Sequence, residues 1–136
     1  FAVRKLEDNV VNNFADWLTR SGLANDFARK HNWEARHEHL FFQDGKQPSD
    51  IGWGDDEDDP GKGEFMHDGG FLPEYYTQRD GGYDDCVMRE AVAKVGRPSH
   101  YGVFSYNCQD YADALRAKYW VLMNDPVVIC KCKCSR

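Results

Sequence analysis

Apolar residues recur at helical spacing in three stretches of the chain. Residues 6–20 place an apolar side chain every three or four positions, which predicts an amphipathic helix. The stretch 86–95 has the same spacing and ends at Gly96, a residue that favours helix termini. A third stretch begins after Asn107, which is a good N-cap residue. We therefore predict three helices.

Two further stretches have the composition of short strands. Residues 37–53 contain two apolar runs separated by Asp44 and Gly45, which predicts a β-hairpin. Residues 101–106 form another short apolar run that leads into the third helix. Between the hairpin and the second helix, residues 54–82 are rich in Asp, Gly and Pro, which predicts a long loop.

The end of the chain alternates cysteine with lysine. Cys130, Cys132 and Cys134 would share one face of a strand, so residues 127–136 are predicted to form an edge strand. This spacing lacks the pairs of ligands typical of structural zinc sites, and we expect neither a metal nor a cofactor. The chain has 5 cysteines, an odd number, so at least one thiol cannot join an intramolecular disulfide.

Length and charge exclude several classes of protein. A chain of 136 residues fits one domain, and the mixture of strands and helices predicts an α+β fold with an antiparallel sheet. The net charge of −6 argues against a nucleic-acid binder, because such proteins gain affinity by neutralising phosphates. No apolar run approaches the roughly 20 residues that a membrane helix needs.

One cysteine lies where chemistry is expected. Cys108 follows Asn107, so its thiol falls in the first turn of the predicted helix, where unpaired N–H groups favour a thiolate. This position predicts a lowered pKa and a reactive thiol. The alternative is a buried structural cysteine. Cys86 also lies near a helix start, but Asp84 and Asp85 beside it would raise its pKa, which makes it the poorer nucleophile.

A reactive thiol needs a base, and the informative histidines are His37 and His39. They are two residues apart in a predicted strand, so both project from the same face, either toward the thiol or away from it. A strand histidine can equally be a surface residue, or a core residue whose ring nitrogens have hydrogen-bond partners.

Three segments together resemble a known class of enzymes: HLFFQDGK followed by IGW, GYDDCVMREAVAKVG, and YNCQDYADALRAKY. A histidine strand that precedes a cysteine helix is similar to the circularly permuted papain-like hydrolases, which are related to the NlpC/P60 enzymes and to lecithin:retinol acyltransferase. The resemblance covers residues 37–120, the papain-like core. Residues 1–31, the N-terminal helical part, and the tail over 127–136 lie outside it.

The resemblance implies roles for individual residues. Cys108 would be the nucleophile and His39 the general base, with His37 as the second choice. The class often has a third polar residue that orients the imidazole, and the next strand offers only Asp50. Gln109 and Tyr106 flank the thiol and would help to hold the substrate or the oxyanion.

The resemblance also implies a biological setting. It extends to C-terminal toxin domains of bacterial polymorphic and type VI secretion effectors, which would act in a target bacterial cell, with the periplasm as the favoured compartment. The expected reaction forms an acyl-enzyme on an amide or ester bond, with cell-wall peptides as the leading substrate and a cognate immunity protein as partner. One alternative is a phospholipase or acyltransferase that contacts the membrane peripherally. The other is a non-catalytic binding module.

Overall fold

The computed structural model describes residues 1–5, 36–56, 58–67, 77–79, 81–102 and 105–134. The helix predicted over residues 6–20 lies outside these ranges. The described residues form an α+β fold with a small antiparallel sheet and helices, as the composition of segments predicts. No helix among them has the length and apolarity that crossing a bilayer requires.

Five strands form one antiparallel sheet in the order β4-β3-β2-β1-β5. Their bounds are β1 Ala2–Lys5, β2 Arg36–Phe41, β3 Asp50–Gly54, β4 Glu64–Met66 and β5 Thr77–Gln78. The predicted hairpin is confirmed as β2 and β3, with Leu40 opposite Ile51. The prediction of one continuous loop over 54–82 was wrong, because β4 and β5 lie within that range. They are only three and two residues long, too short to leave a period in the sequence.

Three helices follow the sheet within the described part of the chain: α1 Asp85–Val95, α2 Cys108–Leu122 and α3 Pro126–Cys134. The first two match the predicted helices. Asp84 caps α1 by accepting a hydrogen bond from the Val87 N–H, and Gly96 ends it with a positive φ of 70°. The stretch 101–106 has no strand in its described residues; Gly102 and Tyr106 form an isolated bridge across a turn.

The C-terminal tail is helical, so the predicted edge strand over 127–136 was wrong for the described residues up to 134. The Asp125 side chain accepts hydrogen bonds from the N–H groups of Val127 and Val128, and Pro126 occupies the first helical position. The buried residues of α3 are Val128 and Cys132, which are four positions apart and share one face of a helix. Alternation of Cys and Lys therefore concealed a helical pattern of burial.

The core lies between the sheet and the helices. Trp53 of β3 is fully buried, and its ring packs against those of Phe65 and Tyr111 at centroid distances of 5.5 and 6.0 Å. Because Tyr111 belongs to α2, this contact identifies the face of the sheet on which the cysteine helix lies. Leu40 and Ile51 belong to the same core.

Candidate active site

Cys108 is the first residue of α2, and a complete capping box holds this end of the helix. The Asn107 side-chain oxygen accepts hydrogen bonds from the N–H groups of Gln109 and Asp110, at 2.9 and 3.2 Å. In return, the Asp110 carboxylate accepts a hydrogen bond from the Asn107 N–H at 2.9 Å. The predicted N-cap is thus confirmed, and it fixes the position of the cysteine.

The thiol of Cys108 is buried, with 4% of the residue exposed. Burial raises its pKa from an ordinary value near 9 to about 11, and the negative charge of Glu38 acts in the same direction. Backbone N–H groups of Glu38, Cys108 and Gln109 lie at the sulfur and oppose this rise. The prediction that the helix start alone lowers the pKa of Cys108 was wrong, because burial outweighs the N–H groups.

Glu38 is the carboxylate next to this thiol. Its side chain has no exposed surface and forms ion pairs with Arg116 of α2 and, at 3.1 Å, with Arg79. Burial raises the pKa of Glu38, while the two guanidinium groups lower it without cancelling the effect of burial. The pair with Arg116 shows that Glu38 projects toward the cysteine helix.

His39, the next residue along β2, projects from the other face of the strand. Successive side chains of a strand alternate between faces, and Glu38 and Leu40 both point toward the helices. The partner strand agrees, because His39 lies opposite Gly52 while its neighbour Trp53 packs on α2. The sheet therefore separates the His39 imidazole from the face on which α2 lies.

The His39 imidazole is held by Asp50. Its Nε2 atom lies 3.0 Å from Asp50 Oδ1, and both side chains are almost completely buried. Ser49 Oγ donates a hydrogen bond to Asp50 Oδ2 at 2.9 Å, and the His67 Nδ1–H donates to the Asp50 backbone carbonyl at 2.7 Å. Asp50 was the residue that the sequence offered for orienting an imidazole, and it lies at hydrogen-bonding distance from one.

The other predicted site residues are placed as follows. Gln109 is buried at the start of α2, next to Cys108 in the chain, and its N–H donates to the Asn107 side chain. Tyr106 is partly buried, and burial raises the pKa of its hydroxyl. The His37 side chain lies outside the described part of the structure, although its backbone pairs with Arg4. Cys86, the alternative nucleophile, is bonded to Cys132 in a disulfide and has no thiol in this state.

Sequence reasoning missed Glu38 and its arginines. Glu38 lies between His37 and His39, and histidine is the residue type most often expected to act as a base. Acidic residues, in contrast, are rarely buried unless they are paired. Its partner Arg116 is 78 residues away, so no local pattern links them. The one available signal was alternation: the polar residue that shares a face with Leu40 is Glu38, whereas His39 shares a face with Phe41.

No family model, curated protein or solved structure matches this chain. The site combines a thiol at a capped helix start, backbone N–H groups that favour its thiolate, and a buried carboxylate with a raised pKa. A thiol nucleophile, oxyanion donors and a proton acceptor are the groups that acyl transfer requires.

Proposed function

We propose that this chain is a cysteine-dependent hydrolase or acyltransferase of the permuted papain-like type, with Cys108 as the nucleophile. The observation that carries the proposal is the position of Cys108 as the first residue of a helix whose start is held by a complete capping box, beside the buried Glu38 carboxylate. The N–H groups at such a helix start stabilise an anionic sulfur, and the Cys108 N–H would also stabilise a developing oxyanion.

The proposed reaction has two steps. The Cys108 sulfur attacks the carbonyl carbon of an amide or ester while its proton passes to a base. The tetrahedral intermediate then collapses to a thioester acyl-enzyme, and the leaving amine or alcohol takes up that proton. Attack by water, or by an acceptor hydroxyl or amine, releases the acyl group and restores the thiol.

Glu38 is our first candidate for the base. It adjoins the sulfur, and its raised pKa brings the carboxyl closer to the neutral range in which a general base is most effective. The second candidate is His39 oriented by Asp50, as the resemblance implies, with His37 after it. His39 would require a rearrangement of β2, because its imidazole projects from the opposite face of that strand.

The described arrangement corresponds to a resting state of the proposed enzyme. With a pKa of about 11, the thiol is protonated at neutral pH, and at 4% exposure it meets a substrate only after covering groups move. Substrate binding near Glu38 would loosen its pairing with Arg116 and open the site. Such coupling of substrate binding to assembly of the reactive groups is a common route to specificity.

The substrate we favour is a cell-wall peptide crosslink, in the setting of an antibacterial effector delivered to the periplasm and neutralised by an immunity protein. Membrane lipid esters are the alternative substrate. In their favour, a cavity of about 480 Å³ adjoins β2 and is lined largely by apolar side chains, among them Leu40, Phe41, Phe42 and Met88. Cys108 does not line this cavity, so only the end of an acyl chain that is bound in the cavity would reach the thiol.

The test compares two variants on both substrates. Cys108→Ala is expected to reduce release of peptide from purified peptidoglycan, or of fatty acid from phospholipid vesicles, on the order of 10³-fold or more. Cys130→Ala is the matched control, because Cys130 is an exposed free cysteine on α3. Full activity in a folded Cys108→Ala protein would eliminate the proposed nucleophile.

A non-catalytic binding module is the second candidate, and the burial of Cys108 favours it. In that case neither substrate is turned over by the wild-type protein or by either variant. A thiol-reactive acyl-donor analogue separates the two functions directly. The hydrolase forms a covalent adduct at Cys108 in its presence, whereas the binding module is modified only at the exposed Cys130 and Cys134.

A further inference from the structure

A second cluster of reactive side chains lies where α1 and α3 meet. A carboxylate oxygen of Asp84 and the sulfur atoms of Cys86 and Cys132 all lie within 4.8 Å of one another. Asp84 is the N-cap of α1, Cys86 is in the first turn of that helix, and Cys132 lies near the end of α3. The two cysteines form a disulfide whose Cα atoms are 5.6 Å apart.

The same three side chains are a set of ligands for zinc once the disulfide is reduced. Cysteine thiolates and aspartate carboxylates bind Zn²⁺ at about 2.3 and about 2.1 Å, which puts the ligand atoms of a tetrahedral site roughly 3.3–3.8 Å apart. Asp84 already lies within about an ångström of that spacing from both sulfurs. The sulfurs themselves need to separate by about 1.7 Å once the bond between them is reduced.

We propose that reduction of the Cys86–Cys132 disulfide converts this cluster into a zinc site with Asp84 as the third ligand and water as the fourth. A dithiol reductant supplies two electrons and two protons, which turns the disulfide into two thiols. Binding of Zn²⁺ then displaces both protons to solvent and leaves two thiolates on the metal. Disulfide and zinc are therefore mutually exclusive states of one cluster.

The two states of the cluster would keep α1 linked to α3 in oxidising and in reducing environments alike. In an oxidising compartment a disulfide joins the two helices, and in a reducing one a metal does so. The inference does not depend on the proposed function of Cys108. That thiol belongs to α2 and is not part of this cluster.

The experiment uses Co²⁺ as a spectroscopic substitute for zinc. The whole chain is reduced with a phosphine, freed of reductant without oxygen and titrated with Co²⁺, while oxidised protein is titrated in parallel. We expect a thiolate-to-cobalt charge-transfer band that saturates at one equivalent and is lost on addition of Zn²⁺. Oxidised protein is expected to give no band.

Three variants identify the ligands. Cys132→Ser is expected to weaken binding at least a hundredfold. Asp84→Asn preserves a good N-cap residue and is expected to weaken it about tenfold. Cys134→Ser is the control, because Cys134 is exposed and lies outside the cluster, and its affinity should equal that of the wild type.

A measurement on the wild-type chain keeps the test valid if a variant fails to fold. Zinc is expected to protect Cys86 and Cys132 from alkylation in the reduced protein, as read by mass spectrometry of peptides, while Cys130 and Cys134 are modified at an unchanged rate. Absence of the cobalt band in reduced wild-type protein, or equal alkylation of all cysteines with and without zinc, would overturn the proposal.

Discussion

The two faces of β2 carry different polar pairs, although Glu38 and His39 are adjacent in sequence. Glu38 projects toward the helices and forms ion pairs with Arg116 and Arg79, which are distant along the chain. On the opposite face, His39 pairs with Asp50 from the adjoining strand of the same hairpin. The first pair therefore joins the sheet to the cysteine helix, whereas the second joins two neighbouring strands of the sheet.

This difference explains which group influences the thiol. The charge of Glu38 and the backbone N–H of the same residue both act on Cys108. A single step along a strand thus exchanges an imidazole neighbour for a carboxylate neighbour, with opposite consequences for the pKa of a thiol.

Removing the Glu38 carboxylate is expected to have the largest effect on stability. Glu38→Ala leaves the guanidinium group of Arg116 largely buried without this partner, so we expect the free energy of unfolding to fall by about 3–5 kcal/mol. Urea denaturation followed by circular dichroism measures it. Glu90→Ala is the control, because Glu90 pairs with the exposed Lys131 and should cost at most about 1 kcal/mol. Equal losses in the two variants would show that Glu38 does not connect sheet and helix.

Alkaline pH is expected to have the next largest effect, through Cys108. Its folded-state pKa of about 11 lies above the ordinary value near 9, so between these values the unfolded chain loses a proton that the folded protein keeps. The associated stability is complete below about pH 9 and is lost as the pH rises to about 11. It amounts to about 2–3 kcal/mol.

The measurement for this prediction is the pH dependence of the unfolding free energy in the wild type and in Cys108→Ala. Burial also raises the pKa of Tyr111, but this tyrosine is present in both proteins and cancels in the difference. The charge of Cys108 adds to the effect of burial on the pKa of Tyr101, so that coupling belongs to the difference attributed to Cys108. Parallel curves for the two proteins between pH 9 and pH 11 would contradict the assignment of a raised pKa to Cys108.

The His39 face is expected to give the smallest of the three effects. Asp50→Ala removes the carboxylate that accepts from His39 and Ser49, and we expect a loss of about 1–3 kcal/mol. Asp50→Asn keeps an acceptor oxygen and should recover about half of that loss. Thermal unfolding of the three proteins at pH 7 provides the comparison. A loss after Asp50→Ala larger than that after Glu38→Ala would reverse the ranking of the two faces.

Local signals in the sequence predicted the parts of the fold that local interactions determine. The capping residue Asn107 marked the start of α2, and Gly96 marked the end of α1, because each satisfies backbone groups within one turn. The hairpin followed from the turn at Asp44 and Gly45. These features depend on residues that are close together along the chain.

Features that depend on distant residues could not be predicted in this way. The pairing of Cys86 with Cys132 spans 46 residues, and it turns the buried side of α3 toward α1, which an alternating Cys and Lys pattern does not indicate. The face of β2 that meets α2 is decided by burial of Trp53 and Leu40 and by Arg116. The sequence therefore indicated a thiol and a possible imidazole but not the carboxylate between them.

The central claim, that the Glu38 carboxylate is a titratable neighbour of Cys108, is tested most directly by the pKa of the Cys108 thiol. Carbon NMR of cysteine labelled at Cβ would follow the titration in the wild type, in Glu38→Gln and in His39→Gln. We predict a pKa of about 11 in the wild type, a lower value in Glu38→Gln and an unchanged value in His39→Gln. A wild-type pKa below the ordinary value near 9 that rises in His39→Gln would contradict the account and place the imidazole beside the sulfur.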